Sequence, residues 1–110
     1  SKELLKGSTV ILLLSLLNRE PMYGYQMTKE IEKISSGLFT FKEGTLYPIL
    51  HSLEADGMIE SYWWGNKGTR QRKYYQITMA GKSLLKEKEQ EWVSFRSAVD
   101  SVITGEVYAW

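Results

Sequence analysis

Apolar positions follow three rhythms along the chain. From residue 4 to residue 53 they recur every three or four places, from 59 to 78 they alternate within aromatic and β-branched runs, and beyond 80 they return every seven. The first rhythm predicts helices with one covered side, the second strands, and the third a helix that needs a partner helix. The first helix is expected over Leu4–Leu17, ending at Asn18 because Pro21 bars continuation. Its apolar residues (Val10, Ile11, Leu12, Leu13, Leu14, Leu16 and Leu17, with Leu4 and Leu5 before them) nearly surround it. A helix apolar all round is covered on more than one side, and in so small a chain the second cover is expected from another subunit.

The second helix is expected over Tyr23–Ile34, with Tyr23, Met27, Ile31 and Ile34 inward and Gln26, Lys29, Glu30 and Lys33 in water; Ser35-Ser36-Gly37 ends it. The third stretch, Lys42–Ser61, organises the rest. Leu46, Leu50 and Leu53 form a stripe at i, i+4 and i+7, widened by Ile49, and Asp56-Gly57 stops the helix. Pro48 is cheapest near a helix start, so the helix should begin between Glu43 and Thr45, with Thr45 as N-cap. Opposite the stripe lie Thr45, Tyr47, Pro48, His51 and Ser52, a small polar face suited to lying in a groove; an ordinary surface helix would look the same.

Ile59–Trp64 and Gln71–Thr78 read as strands joined by Gly65–Arg70, a flexible loop with two glycines and an asparagine. In the second strand Tyr75 and Ile77 share one face and Arg72, Tyr74 and Gln76 the other. Helix, connector, groove-facing helix and hairpin make a winged helix-turn-helix over residues 1–79. A long last helix over 80–104 follows, ended by Gly105, then a tail at 105–110. In that helix Leu85, Trp92 and Val99 recur every seven residues, as do Lys88, Phe95 and Val102. With one defect at Lys88, this is a dimer seam. The fold class is therefore mostly α with a β-hairpin.

Composition narrows the picture. At 110 residues, 43% hydrophobic and 25% charged, the chain is one globular domain, or a small one with an appendage. Without cysteine it has no disulfide and no thiolate metal site, and its single histidine has no second ligand to complete one. Thr9–Leu17 imitates the apolar region of a signal peptide, but Asn18-Arg19-Glu20-Pro21 offers no small-residue cleavage site. The run is also too short to span a bilayer; it is read as a buried helix of a cytoplasmic protein. Net charge is only +1, yet residues 61–79 carry Lys67, Arg70, Arg72 and Lys73 and no acid, so that window is +4 and the remainder −3. A local cationic patch on a near-neutral chain suits a reader of a specific polyanion. No nucleophile–base set, metal cluster or phosphate-cradling loop marks an enzyme, and no cofactor is expected.

Four fragments in register carry a family resemblance: Tyr23-Gly24-Tyr25, Gly44-Thr-Leu-Tyr-Pro48, Leu53-Glu-Ala-Asp-Gly-Met-Ile59, and Arg72-Lys-Tyr-Tyr75 with Thr78 and Gly81. Over about residues 5–103 the chain resembles the PadR-type bacterial transcription regulators, in their compact branch with a single C-terminal helix. The resemblance implies a homodimeric winged-helix repressor on a pseudo-palindromic operator, released in many members by a small aromatic or amphipathic effector. Its third helix would enter the major groove and its wing would follow the backbone or minor groove. The last helix would pack with the partner's first.

Roles follow for particular residues. Thr45, Tyr47 and His51 are candidate DNA contacts from the third helix, with Lys42 at its mouth. Tyr47 has the alternative of packing against the second helix, and His51 that of an idle surface residue. Lys67, Arg70, Arg72 and Lys73 are candidate phosphate contacts, Arg70 at the tip being placed for a minor groove; a merely solvated hairpin is the alternative. Tyr23 and Gly24 open the second helix, where backbone N–H groups favour a phosphate. Trp92 matches the position at which a multidrug-responsive member of the family sandwiches flat aromatic compounds. Leu85, Glu89 and Arg96 share its side of the helix, and Thr9 and Val10 would approach from the partner. The competing reading makes Trp92 a knob of the dimer seam with Leu85, Phe95, Val99 and Val102. A winged helix serving only protein interaction would show an uncharged or acidic wing and an apolar third-helix face, and neither is present.

Overall fold

The computed structural model describes residues 2–68 and 70–106, with side chains from Ser8 onward. The side chains of Leu4 and Leu5 and the tail beyond Glu106 lie outside the described residues. Helix α1 runs Lys2–Leu17, a two-residue strand β1 covers Met22–Tyr23, and α2 (Gly24–Ile34) and α3 (Glu43–Ala55) follow. Strands β2 (Ile59–Trp64) and β3 (Arg72–Ile77) then lead into α4 (Met79–Thr104).

The leucine stripe behaves as its spacing requires: Leu46 and Leu50 are fully buried and Leu53 nearly so, against Leu13 and Leu14 of α1, Met27 and Ile31 of α2, and Ile59 and Tyr75 of the sheet. Helix α3 stops in a tight C-terminal turn. The Met58 amide donates to the Leu53 carbonyl at 2.9 Å and the Gly57 amide to Glu54 at 3.0 Å, with Gly57 at φ +76°. That left-handed geometry is cheap only without a β-carbon. The start of α3 corrects the expectation. Lys42, not Thr45, is the N-cap, and it caps with its carbonyl alone, accepting from the Thr45 and Leu46 amides at 3.0 Å. Pro48 therefore lies inside the helix and removes the bond its amide would have donated to Gly44. Burial of the leucine stripe on either side of it holds the helix together.

Helix α2 departs from the expected pattern at both ends. Tyr23 is not its first turn but its extended N-cap, and Ile34 is half exposed because the helix ends there and the chain turns outward at Ser36, φ +54°. Tyr23 belongs instead to a third strand. The sheet order is β1-β3-β2, all antiparallel, with Tyr23 opposite Tyr74 and Met22 opposite Tyr75. The hairpin is thus the larger part of a three-stranded sheet. Ile59 pairs with Ile77, Ser61 with Tyr75, Tyr62 with Tyr74, and Trp63 with Lys73. Alternation turns Ile59, Ser61, Trp63, Lys73, Tyr75 and Ile77 toward α3, and Tyr62, Trp64, Arg72 and Tyr74 away.

The passage from β3 to α4 is built around Thr78 and Gly81. The Thr78 hydroxyl accepts from the Gly81 amide at 3.0 Å and lies 2.7 Å from the Gly57 carbonyl. A β-carbon at Gly81 would run into the Met58 carbonyl oxygen. The close approach of α4 to the turn after α3 thus requires glycine. Helix α4 then packs along α1 and extends the molecule to 60 Å in its longest dimension. Gly105, φ +74°, caps it as expected. Leu85 is buried and Ser97 nearly so, whereas Trp92, Phe95, Val99, Val102 and Ile103 are exposed in the single chain.

Candidate nucleic-acid interface

Three elements converge on one open cleft of about 440 Å³. The start of α2 supplies Tyr23, Gly24 and Tyr25; α3 supplies Glu43, Tyr47 and His51, at i, i+4 and i+8; the wing supplies Trp63, Arg70, Gln71, Arg72, Lys73 and Tyr75. Tyr23, Gly24, Tyr47, His51, Arg70, Arg72 and Lys73, expected from the sequence, are therefore brought together. Lys42, Thr45 and Lys67 are exposed but do not line this cleft. Among the residues that line the cleft, Arg70, Arg72 and Lys73 outnumber the one carboxylate, Glu43, so the cleft favours an anion.

Tyr47 packs against α2, the alternative foreseen for it, and it also lines the cleft. Its ring covers Gly24, whose hypothetical β-carbon would fall 2.7 Å from the Tyr47 oxygen. His51 follows one turn later, its ring 6.5 Å from that of Tyr47. Gly24 itself is buried, so its place in the site is to let the tyrosine lie down rather than to present a surface of its own.

The four wing cations are not equivalent. Arg72 lies with its guanidinium 4.6 Å over the Tyr23 ring, fixing the base of the wing to the start of α2. Lys73 points toward α3, where its ammonium is 3.9 Å from the Glu54 carboxylate and 5.6 Å from the centre of the Tyr75 ring. Glu54 also accepts a hydrogen bond from the Ser61 hydroxyl. One carboxylate on α3 thus holds both strands of the wing and partly neutralises Lys73. Arg70 and Lys67 are exposed nearer the tip. Tyr75, beneath the cleft, has its hydroxyl pushed above the usual 10.0 by burial first, then by the Glu54 carboxylate and Tyr47.

Sequence reasoning overlooked three lining aromatics: the buried Tyr75, and Tyr25 and Trp63, which are 52% and 65% exposed. Strand alternation would have found Trp63, since it falls on the side of Tyr75 and Lys73. On the outer face, Tyr74 stacks on Tyr62 at 5.9 Å and meets Tyr23 and Trp64 edge-on at 5.4 and 5.9 Å. That cluster stiffens the wing across all three strands.

The residues named for an effector are less closely assembled. Trp92 stacks on Phe95, ring centres 6.1 Å apart, and is 44% exposed. Glu89 and Arg96 are exposed nearby, and Val10 is half-buried. Thr9 and Leu85 are buried within this chain, at 2% and 5% exposure, so neither presents appreciable surface to a ligand or to a seam. Among the described residues no cluster of three or more His, Cys, Asp or Glu is placed to hold a metal, and no helix is long and apolar enough to cross a membrane.

A winged helix-turn-helix whose third helix and cationic hairpin share a cleft is the architecture of a DNA-binding transcription regulator. The chain belongs to the transcriptional regulator PadR-like family, whose model matches residues 13–87; its members are regulators of transcription, not enzymes. A transcriptional regulator from Clostridium thermocellum superposes with a TM-score of 0.83 at 33% identity, covering 90% of this chain and 96% of that one. A PadR family regulator from Eggerthella lenta gives 0.80 at 37% identity, covering 92% and 86%. Uncharacterized protein X of Lysinibacillus sphaericus is 32% identical over 103 residues, 94% of each chain.

Proposed function

We propose that this regulator is a repressor that binds a pseudo-palindromic operator as a homodimer, with α3 in the major groove and the wing on the adjacent backbone and minor groove. The observation that carries the reading is the shared cleft: Tyr47 and His51 of α3 open onto the same space as Arg70, Arg72 and Lys73 of the wing. Phosphate contacts from the wing supply affinity, while side chains at the start of α3 meet base edges. The twofold partner covers α4, where Trp92, Phe95, Val99 and Val102 leave an apolar strip open in the single chain. The test is a gel shift against the gene's own upstream region at two salt concentrations. A discrete complex that outlasts competitor DNA supports the reading; smearing, competitor-sensitive binding at low salt contradicts it.

Release by a small planar aromatic at the α4 seam is the accompanying proposal. It is favoured by the exposed Trp92–Phe95 ring pair, which offers a flat apolar surface between two charged neighbours, Glu89 and Arg96. A ligand there acts only by preferring one angle between the two DNA-binding units over another. Quenching of tryptophan emission by planar aromatics, lost in Trp92→Leu, is the expected result; equal quenching in both proteins contradicts it.

A further inference from the structure

Trp63 is the largest exposed side chain in the cleft, and neither the wing cations nor the recognition helix accounts for it. It is 65% exposed, in a strand where its neighbours Tyr62 and Trp64 are both held in ring contacts with Tyr74. Among the described residues no other ring stacks on Trp63. Its register opposite Lys73 places it on the α3-facing side of the sheet, in the cleft shared with Tyr47 and Arg70. A 65%-exposed indole that lines a cleft with cations is available to a partner that brings apolar surface together with negative charge.

Duplex DNA has both: phosphates for Arg70 and Arg72, and between them the deoxyribose rings that wall the minor groove. From this juxtaposition we infer that Trp63 is a DNA-contacting residue of the wing, its indole packing on the sugar wall of the minor groove that Arg70 enters. The inference rests on the DNA-binding reading above and adds to it an apolar, sequence-tolerant contact. Such a contact differs from a phosphate contact in one measurable respect. A cation releases counterions and so sets the salt slope, whereas an indole against a sugar adds affinity that is nearly the same at every salt concentration.

The experiment is a salt titration of operator and unrelated duplex DNA with wild type, Trp63→Ala, Trp63→Phe and Arg70→Ala. Trp63→Ala is expected to weaken both duplexes about tenfold, in the range of aromatic contacts to nucleic acid, with the slope unchanged. Trp63→Phe recovers part of the loss, and Arg70→Ala lowers the slope. The variant Trp64→Phe, Trp92→Phe, Trp110→Phe leaves Trp63 the sole tryptophan, read by excitation that spares the tyrosines. Its emission is expected to be quenched, and shielded from acrylamide, by non-operator and operator DNA alike. If wild type binds and Trp63→Ala binds equally well, or if the lone indole stays open to acrylamide in the complex, this inference is overturned while the DNA-binding reading stands. A wild type that binds neither duplex overturns both.

Discussion

Gly24 and Tyr47 lie so close that a β-carbon on the first would fall 2.7 Å from the phenolic oxygen of the second and 2.9 Å from its ring carbon. Helix α2 is thereby docked against α3 through Tyr47, which also lines the cleft. Gly24→Ala is expected to push the ring away, costing about 1–3 kcal/mol of stability from overpacking and weakening DNA binding as Tyr47 moves. Combining it with Tyr47→Ala should restore part of the stability but none of the affinity, a non-additivity that urea unfolding and a binding titration would read together.

Gly81 makes a similar point at the root of α4. A methyl group there would collide with the Met58 carbonyl oxygen, which is backbone and cannot swing aside. Gly81→Ala is expected to cost more than the roughly 1 kcal/mol lost when Thr78→Ala removes the helix cap. Urea midpoints of the two variants give the order; a Gly81→Ala protein as stable as wild type would show that α4 does not need this approach.

Charge counting on the sequence treats Arg70 and Lys73 alike, so that replacing both would remove about two phosphates from the salt slope. The ion pair with Glu54 separates them. Arg70→Ala is expected to lower the slope by about 0.9, the value of one phosphate, and Lys73→Ala by clearly less. Binding isotherms over a range of salt distinguish the two; equal losses would mean that Lys73 leaves Glu54 on binding DNA.

Much of the fold was legible because long periodic runs were present. The leucine stripe fixed the buried side of α3, alternation fixed the β2–β3 hairpin, and Gly57 and Gly105 marked two helix ends. What escaped was short or decided by packing. Met22–Tyr23 has too few residues for a period, and Tyr23 enters the sheet because β3 leaves an edge for it to pair with. Ile34 has helical spacing but lies where the helix has already run out, and Pro48 is tolerated within α3 because buried leucines flank it. In the site, residue type named Arg70, Arg72, Lys73 and Tyr47, which line the cleft, together with Lys42 and Lys67, which do not, and the division of Lys73 from Arg70 depends on Glu54, which is brought near by folding. The heptad likewise included Leu85 with Trp92, although this chain's own core has taken the former.

The raised Tyr75 hydroxyl predicts a pH dependence with a definite sign. An unfolded tyrosine ionises near 10, whereas the folded one keeps its proton to higher pH because burial and Glu54 oppose the anion. Above pH 10 the unfolded chain thus holds fewer protons than the folded one, and stability falls as pH rises from there toward the folded value. Below about pH 9 this group contributes no slope. Unfolding curves from pH 8 to 11 should be shallower in pH for Tyr75→Phe than for wild type; matching slopes would contradict the assignment.

If a twofold axis duplicates the cleft between α3 and the wing, the dimer reads DNA twice, and hydroxyl-radical footprinting of the gene's upstream region will see both halves. Two related protected segments, their centres about one helical turn or a multiple of it apart on the same face of the duplex, are expected, and both should fade together in Tyr47→Ala. A single protected segment, or none that responds to Tyr47, would rule out this arrangement.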